Sequence, residues 1–157
     1  MKLTIFSDTH IKYFNGTFPK EFIESCNSAD MTIGLGDYTC EDFYLYIREI
    51  SNSYRFVLGN CDDYTLRNYL PVSEKIQIEG YCLFLTHGWG SRDGLEKRIY
   101  SSLDYEPDIV LFGHSHSFTD KIIGKTRFIN PGSCIKGGSF IEMTLDKKGI
   151  QIIKKGL

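Results

Sequence analysis

The sequence predicts an α/β domain in which two mixed β-sheets pack face to face with helices outside. Three observations support this. The first half alternates short apolar runs with amphipathic segments, the second half is dominated by closely spaced strand patterns, and no repeat, low-complexity stretch or Pro/Ser-rich linker separates them. At 157 residues the chain has the size of one ordinary domain, so residues 1–157 are expected to fold as a single unit.

Taken in order, Lys2-Leu3-Thr4-Ile5-Phe6 reads as a strand, and residues 20–28 as a helix with Phe22, Ile23 and Cys26 on one face. A strand near 31–35, a helix near 41–50 carrying Phe43, Ile47 and Ile50, and a strand near 55–59 complete a βαβαβ pattern, which favours parallel pairing. Ile76 and Ile78 lead through Glu79-Gly80 into Tyr81 to Leu85, a hairpin signature. A helix near 92–103 with Leu95, Ile99 and Leu103 in register precedes the strand Ile109 to Phe112. The remainder reads as β: Lys121 to Ile123 and Arg127 to Ile129 flank Gly124-Lys125, and Ile141, Met143 and Leu145 alternate before a turn at 146–149 and a strand over Ile150 to Ile153.

Composition narrows the function. Hydrophobic residues make up 41% and charged residues 24%, the profile of a globular chain. No apolar run approaches the roughly 20 residues of a membrane span, and the N-terminus lacks a signal-peptide pattern, so a cytoplasmic location is expected. The five cysteines, Cys26, Cys40, Cys61, Cys82 and Cys134, show no C-x-x-C spacing. Neither a disulfide framework nor a thiolate zinc site is expected. A net charge of -2 without a block of Lys or Arg argues against an extended nucleic-acid surface. Any attraction for an anion must be local. An aromatic content of 14% favours a homo-oligomer.

Five apolar runs are each followed directly by metal-binding side chains. Leu3 to Phe6 leads to Asp8 and His10, Met31 to Gly36 leads to Asp37, and Phe56 to Gly59 leads to Asn60. Leu83 to Thr86 leads to His87, and Ile109 to Gly113 leads to His114 and His116. In open α/β sheets, ligands collect beyond the carboxyl ends of strands. A lone histidine is ordinarily a hydrogen-bonded loop or core residue, yet all four histidines of this chain fall at these positions. Seven O and N donors are therefore expected on one rim.

Asp8-Thr9-His10, Gly36-Asp37, Gly59-Asn60-Cys61-Asp62, Thr86-His87-Gly88, Gly113-His114-Ser115-His116 and Asn130-Pro131-Gly132-Ser133, in this order, resemble the calcineurin-like metallophosphoesterase superfamily and its small bacterial and archaeal phosphodiesterase branch. The resemblance spans almost the whole chain. It implies a four-layer αββα sandwich, the metallo-dependent phosphatase fold. It also implies a dinuclear site, with Asp8, His10, Asp37 and His116 on one metal and Asp37, Asn60, His87 and His114 on the other. The implied activity is phosphodiester hydrolysis by a metal-bridging hydroxide.

Residue chemistry is consistent with that implication. A carboxylate can bridge cations about 3.5–4 Å apart, and Asp37 is the acid at the middle strand end. Imidazole, carboxylate and amide donors without thiolate suit Mn²⁺, Fe, Zn²⁺ or Ni²⁺ better than Ca²⁺ or Mg²⁺, and two divalent transition-metal ions are expected, Mn²⁺ first, with Ni²⁺, Zn²⁺ or Fe as alternatives. Two such ions bring about +4, and Asp8, Asp37 and hydroxide remove three, leaving about +1, which matches a small phosphodiester monoanion.

Departures from the family pattern fall on the general acid. Many relatives have a histidine after the Asn60 equivalent, where this chain has Cys61, as the small branch does. A thiol with a reference pKa near 8.5 replaces imidazole poorly. A second histidine common two positions after the His87 equivalent is here Trp89. Asn60, His87 and Cys61 are thus the catalytic candidates, with Trp89 and Arg92 as candidates to touch substrate. Trp89 could equally pack under the metal loop, and Arg92 and Lys136 fit solvated surface charge better than contact with a phosphate. Asp62, Asp63 and Asp93 are candidates to support the ligands. Asn130 to Ser133 is expected to form a turn shaping the rim, and Tyr13, Phe14 and Phe18 to line a substrate entrance or subunit contact. The rival functions are a phosphomonoesterase of the same mechanism and a protein-binding scaffold, since a retromer subunit resembles this branch while lacking part of the ligand set.

Overall fold

A computed structural model describes residues 1–157. Strands β1 (Lys2–Phe6), β2 (Met31–Gly34) and β3 (Tyr54–Phe56) run parallel and are linked by helices α1 (Lys20–Ser28) and α2 (Glu41–Ile50). The antiparallel strands β9 (Ser139–Asp146) and β10 (Gly149–Gly156) extend this sheet, giving the order β10-β9-β1-β2-β3. The second sheet is built from β4 (Ser73–Ile78), β5 (Tyr81–Thr86), β6 (Ile109–Phe112), β7 (Phe118–Ile123) and β8 (Thr126–Pro131) in the order β4-β5-β6-β8-β7. Within it β5, β6 and β8 are parallel, with α3 (Leu95–Ser102) between β5 and β6.

Strand alternation sorts side chains into three apolar layers. Leu3, Ile5, Ile33, Leu83, Leu85, Leu111, Ile129, Ile141 and Met143 fill an aliphatic layer between the sheets. Phe6 and Phe56 point the other way and meet Phe22, Phe43, Tyr44 and Ile47 of α1 and α2. Val110, Phe112 and Phe128 meet Leu95 and Ile99 of α3. The result is the αββα sandwich that the resemblance implies. With both faces covered, β1 beyond Lys2, β2 and β6 are buried without a break. Burial of each such Leu, Ile or Phe is worth about 1.5–3 kcal/mol, so these layers dominate the stability.

Several boundaries differ from those expected. β3 stops at Phe56 because the chain then turns toward the rim, where the Val57 N–H donates to Gly34 O and the Leu58 N–H to Pro71 O. α3 starts at Leu95, since Gly94 has φ +69 and cannot join a right-handed helix. Asn130 and Pro131 belong to β8, opposite Thr119 and Phe118, and only Gly132, with φ +83, and Ser133 lie beyond the strand end. Phe14 and Phe18 pack, partly buried, against Phe43 with centroids 5.4 and 5.1 Å apart, leaving Tyr13 outside at 84% exposure. Much of the aromatic content lies in this cluster. No helix is long and apolar enough to cross a membrane.

Candidate metal centre

The segments that follow β1, β2, β3, β5 and β6 converge at one end of the sandwich. Left-handed backbone marks the convergence: Asp8 has φ +54, His10 +47, Asp37 +57, His114 +66 and His116 +62. Non-glycine residues in this region carry strain of order 1–3 kcal/mol each and persist only where the surroundings hold them. Here the loops hold one another. The N–H of Asp8 donates to Gly36 O at 3.0 Å, that of His10 to Asp37 O at 3.0 Å, and that of Gly113 to His87 O at 3.1 Å. Strain concentrated at five of the seven expected ligand positions points to a functional end of the molecule.

All seven expected ligands come together, in two groups. In the first, His116 Nε2 lies 3.2 Å from Asp8 Oδ1 and 3.0 Å from His10 Nε2, and His10 Nε2 lies 3.8 Å from both Asp8 Oδ1 and Asp37 Oδ2. In the second, His114 Nδ1 lies 2.9 Å from Asn60 Oδ1 and 3.3 Å from His87 Nε2. His87 Nε2 is in turn 3.1 Å from Asn60 Oδ1 and 3.3 Å from Asp37 Oδ2. Asp37 Oδ2 reaches both groups, and Asp8 Oδ1 also comes within 4.0 Å of His87 Nε2.

Surrounding hydrogen bonds aim the donor atoms. The His87 Nδ1–H donates to Leu35 O at 2.7 Å, which turns the Nε2 lone pair into the site. The His114 Nε2–H donates to Gly90 O at 2.7 Å and frees Nδ1 in the same way. Asp37 Oδ1 accepts the Cys61 N–H at 2.7 Å, and Asp8 Oδ2 accepts the His114 N–H at 3.0 Å. Asp62, one of the uncertain acids, is buried and accepts the N–H groups of Asp37, Thr39 and Gly59. Asn130 Nδ2 donates to Gly113 O and Ser115 Oγ, and Ser133 Oγ to Asp8 O, so the Asn130–Ser133 motif braces the ligand loops. Two glycines are required by close approach. A Cβ on Gly59 would collide with Asp37, and one on Gly113 with Ser7 Oγ.

The electrostatics call for a cation. Asp8 Oδ1 is buried without a hydrogen-bond partner, a costly state for a carboxylate oxygen. Burial pushes the Asp8 carboxyl up, against the opposing pull of His87, Ser7 and His116. Burial pushes Asp37 up too, but the hydrogen bond and charge of His87 and the Cys61 N–H more than offset it, bringing Asp37 down to about 2. Burial disfavours charge on His87, yet Asp37 and Asp8 outweigh it and raise that pKa. Imidazole lone pairs and carboxylates crowded together are matched by divalent ions, which the Asp and His groups could bind.

The family follows from one further finding: the sequence model of the calcineurin-like phosphoesterase superfamily domain matches residues 1–145. The chain belongs to this superfamily. A probable metallophosphoesterase of Methanothermobacter thermautotrophicus is 26% identical over 137 residues, 85% of this chain and 77% of that protein. Vacuolar protein sorting-associated protein 29 of Schizosaccharomyces pombe is 27% identical over 103 residues, 64% of this chain and 54% of that relative. Among solved structures, a Thermotoga maritima protein superposes with a TM-score of 0.80 at 31% identity, covering 99% of both chains. An archaeal phosphodiesterase superposes with a TM-score of 0.74 at 25% identity, covering 99% of this chain and 100% of that one.

The remaining expected site residues surround the superfamily centre. The Cys61 thiol faces it, grouped with His10 and Asp37, and accepts a hydrogen bond from Asn60 Nδ2 at 3.2 Å. Burial and the charge of Asp37 raise its pKa. Arg92 is not simply solvated, because its guanidinium donates to His116 Nδ1 at 3.3 Å. Trp89 is 45% exposed and lines a cavity of about 390 Å³ with Phe84, His87, Leu103 and Tyr105. Asp63 and Asp93 are exposed loop acids. The structural part of Asp62 was foreshadowed only by its place two residues after Asn60, and no sequence signal marks Gly90 O or Leu35 O as partners of the histidines.

Proposed function

We propose that this chain is a metal-dependent phosphodiesterase with two divalent cations, Mn²⁺ first among them. The observation that carries the reading is Asp37 Oδ2, shared by two donor groups of matched composition. Asp8, His10, Asp37 and His116 would hold one ion, and Asp37, Asn60, His87 and His114 the other. When bound, such a pair lowers the pKa of water toward neutrality and accepts charge from phosphoryl oxygens.

The protein's own groups do the orienting. Leu35 O and Gly90 O keep His87 and His114 in the tautomers that present a lone pair inward. Arg92, which lies beside His116, would meet a phosphate oxygen, and the half-exposed Trp89 would meet an organic arm of the ester. Cys61 stays a thiol near neutral pH, since burial and Asp37 both disfavour its charge. It is a weak proton donor, so the reading favours diesters whose leaving group departs with little help.

The test is turnover of an aryl phosphate against its matching diester by Mn²⁺-loaded protein, followed by cyclic nucleotides, dinucleotides and glycerophosphodiesters. Preference for the diester supports the reading, and preference for the monoester replaces it with a phosphomonoesterase. A scaffold reading draws on the likeness to vacuolar protein sorting-associated protein 29. It predicts a chain that holds less than about one metal ion when purified without chelator, against the two expected of a dinuclear hydrolase.

A further inference from the structure

The expected donor set contained no sulfur, yet the geometry brings a thiol beside two of its members. Asp37 arrives from the segment after β2, His10 from that after β1, and Cys61 from that after β3. Their ligand atoms nevertheless lie within 4.8 Å of one another. Donors to one Zn²⁺ sit about 2.0–2.3 Å from the ion, so this spacing closes on a single cation with a small rotation of one side chain. Cys61 is exposed and is the member free to make it. A second feature marks the same spot: Asp8 Oδ1, fully buried and unpartnered, lies 3.8 Å from the His10 nitrogen of this trio.

We infer that Cys61, His10 and Asp37 form a thiophilic facet of the metal centre, taking Zn²⁺ or Cd²⁺ through sulfur where Mn²⁺ is held by oxygen and nitrogen alone. This rests on the dinuclear reading and extends it. Soft thiolate donors favour zinc-like ions over manganese, whose affinity for nitrogen and oxygen sites is the lowest of the first-row divalent ions. On binding, the Cys61 S–H bond breaks, an S–metal bond forms and the proton passes to water, with no change in oxidation state. The same thiol accepts from Asn60 Nδ2. Its capture by a soft ion removes that hydrogen bond and frees the Asn60 amide to turn, so thiophilic ions change the ligand geometry as well as the occupant.

The experiment is titration of the full chain with Cd²⁺, read by ultraviolet sulfur-to-cadmium charge-transfer absorption, beside Mn²⁺ binding read by electron paramagnetic resonance. Wild type is expected to develop the band, with Cys61→Ser abolishing it and leaving Mn²⁺ binding unchanged. The other cysteines are buried or half-buried, and Cys82→Ser, the control for the half-buried one, should keep the band. Cd²⁺ affinity relative to Mn²⁺ should fall roughly tenfold or more in Cys61→Ser, at least the loss typical of removing a supporting group. No band in wild type, or a band that survives Cys61→Ser, overturns the inference while normal Mn²⁺ binding preserves the centre. Failure to bind either ion overturns the metal reading itself.

Discussion

Asp62 Oδ2 accepts the backbone N–H of Asp37 at 3.1 Å and thereby ties the segment after β3 to the residue at the middle of the metal centre. The same carboxylate takes the N–H of Gly59 at 2.7 Å and, through Oδ1, that of Thr39 at 2.8 Å. Asp62→Ala leaves three donors without their acceptor, two of them in buried hydrogen bonds, and is expected to cost about 2–3 kcal/mol. Urea unfolding measures this, and Asp62→Asn should recover part of it. An unchanged midpoint for Asp62→Ala would show that water replaces the carboxylate freely.

Asp37 itself offers Oδ2 to both donor groups. Asp37→Ala should therefore empty both metal positions at once and reduce diester turnover by more than the roughly 10–100-fold that loss of a supporting group costs. Elemental analysis together with kcat/KM checks it. A variant keeping near-normal metal content and turnover would remove Asp37 from the bridging position.

Trp89 lines a cavity together with His87. If its indole receives a base, Trp89→Ala should raise KM for nucleoside diesters roughly tenfold, within the range of one base–aromatic stacking contact, and leave small aryl diesters nearly unaffected. Equal loss for both substrate types would assign Trp89 to packing.

Glu79 and Gly80 turn the β4–β5 hairpin with φ +51 and +88. Two-residue turns of this kind prefer Asn-Gly, since Asn tolerates left-handed backbone. Glu79→Asn is expected to stabilise the fold by about 0.5–1 kcal/mol with kcat and KM unchanged. A lower melting temperature would mean that the Glu79 contact with the N-terminal amine, 3.8 Å away, outweighs the backbone gain.

Asp120 and Arg127 pair across β7 and β8 through two hydrogen bonds of 2.8 Å, which lower the Asp120 pKa. A depressed carboxyl stabilises the fold above its unfolded pKa, and that stabilisation is lost as pH falls through the folded value. The gap between wild type and Asp120→Asn, expected at no more than about 1 kcal/mol for a partly exposed pair, should be flat above about pH 5 and shrink below it. A gap that widens in acid would reverse the sign of the pair's contribution.

Much of this molecule was legible before folding because its chemistry sits where its pattern changes. Lys2–Phe6, Glu41–Ile50 and Ile109–Phe112 follow the periods of strand and helix, and each donor follows such an element within a few residues. Less legible was anything decided by an encounter between distant segments. Asn130 and Pro131 looked like turn formers, yet pairing with Phe118 and Thr119 holds them in β8. Phe18 looked free because its partners, Phe22 and Phe43, lie on two helices that meet only in the folded chain. The positive φ values at Asp8 and His116 are imposed by neighbouring loops, and neither residue type announces them.

The donors are divided between the layers: Asp8, His10, Asp37 and Asn60 follow strands of one sheet, and His87, His114 and His116 follow strands of the other. A bound ion pair would consequently act as a rivet through the seam, so that sliding one sheet past the other by even an ångström would unseat it. Aliphatic residues packed between the sheets, Ile5 and Leu85 among them, set the spacing of that seam. The calibration of the centre is in this sense stored in the interior of the sandwich.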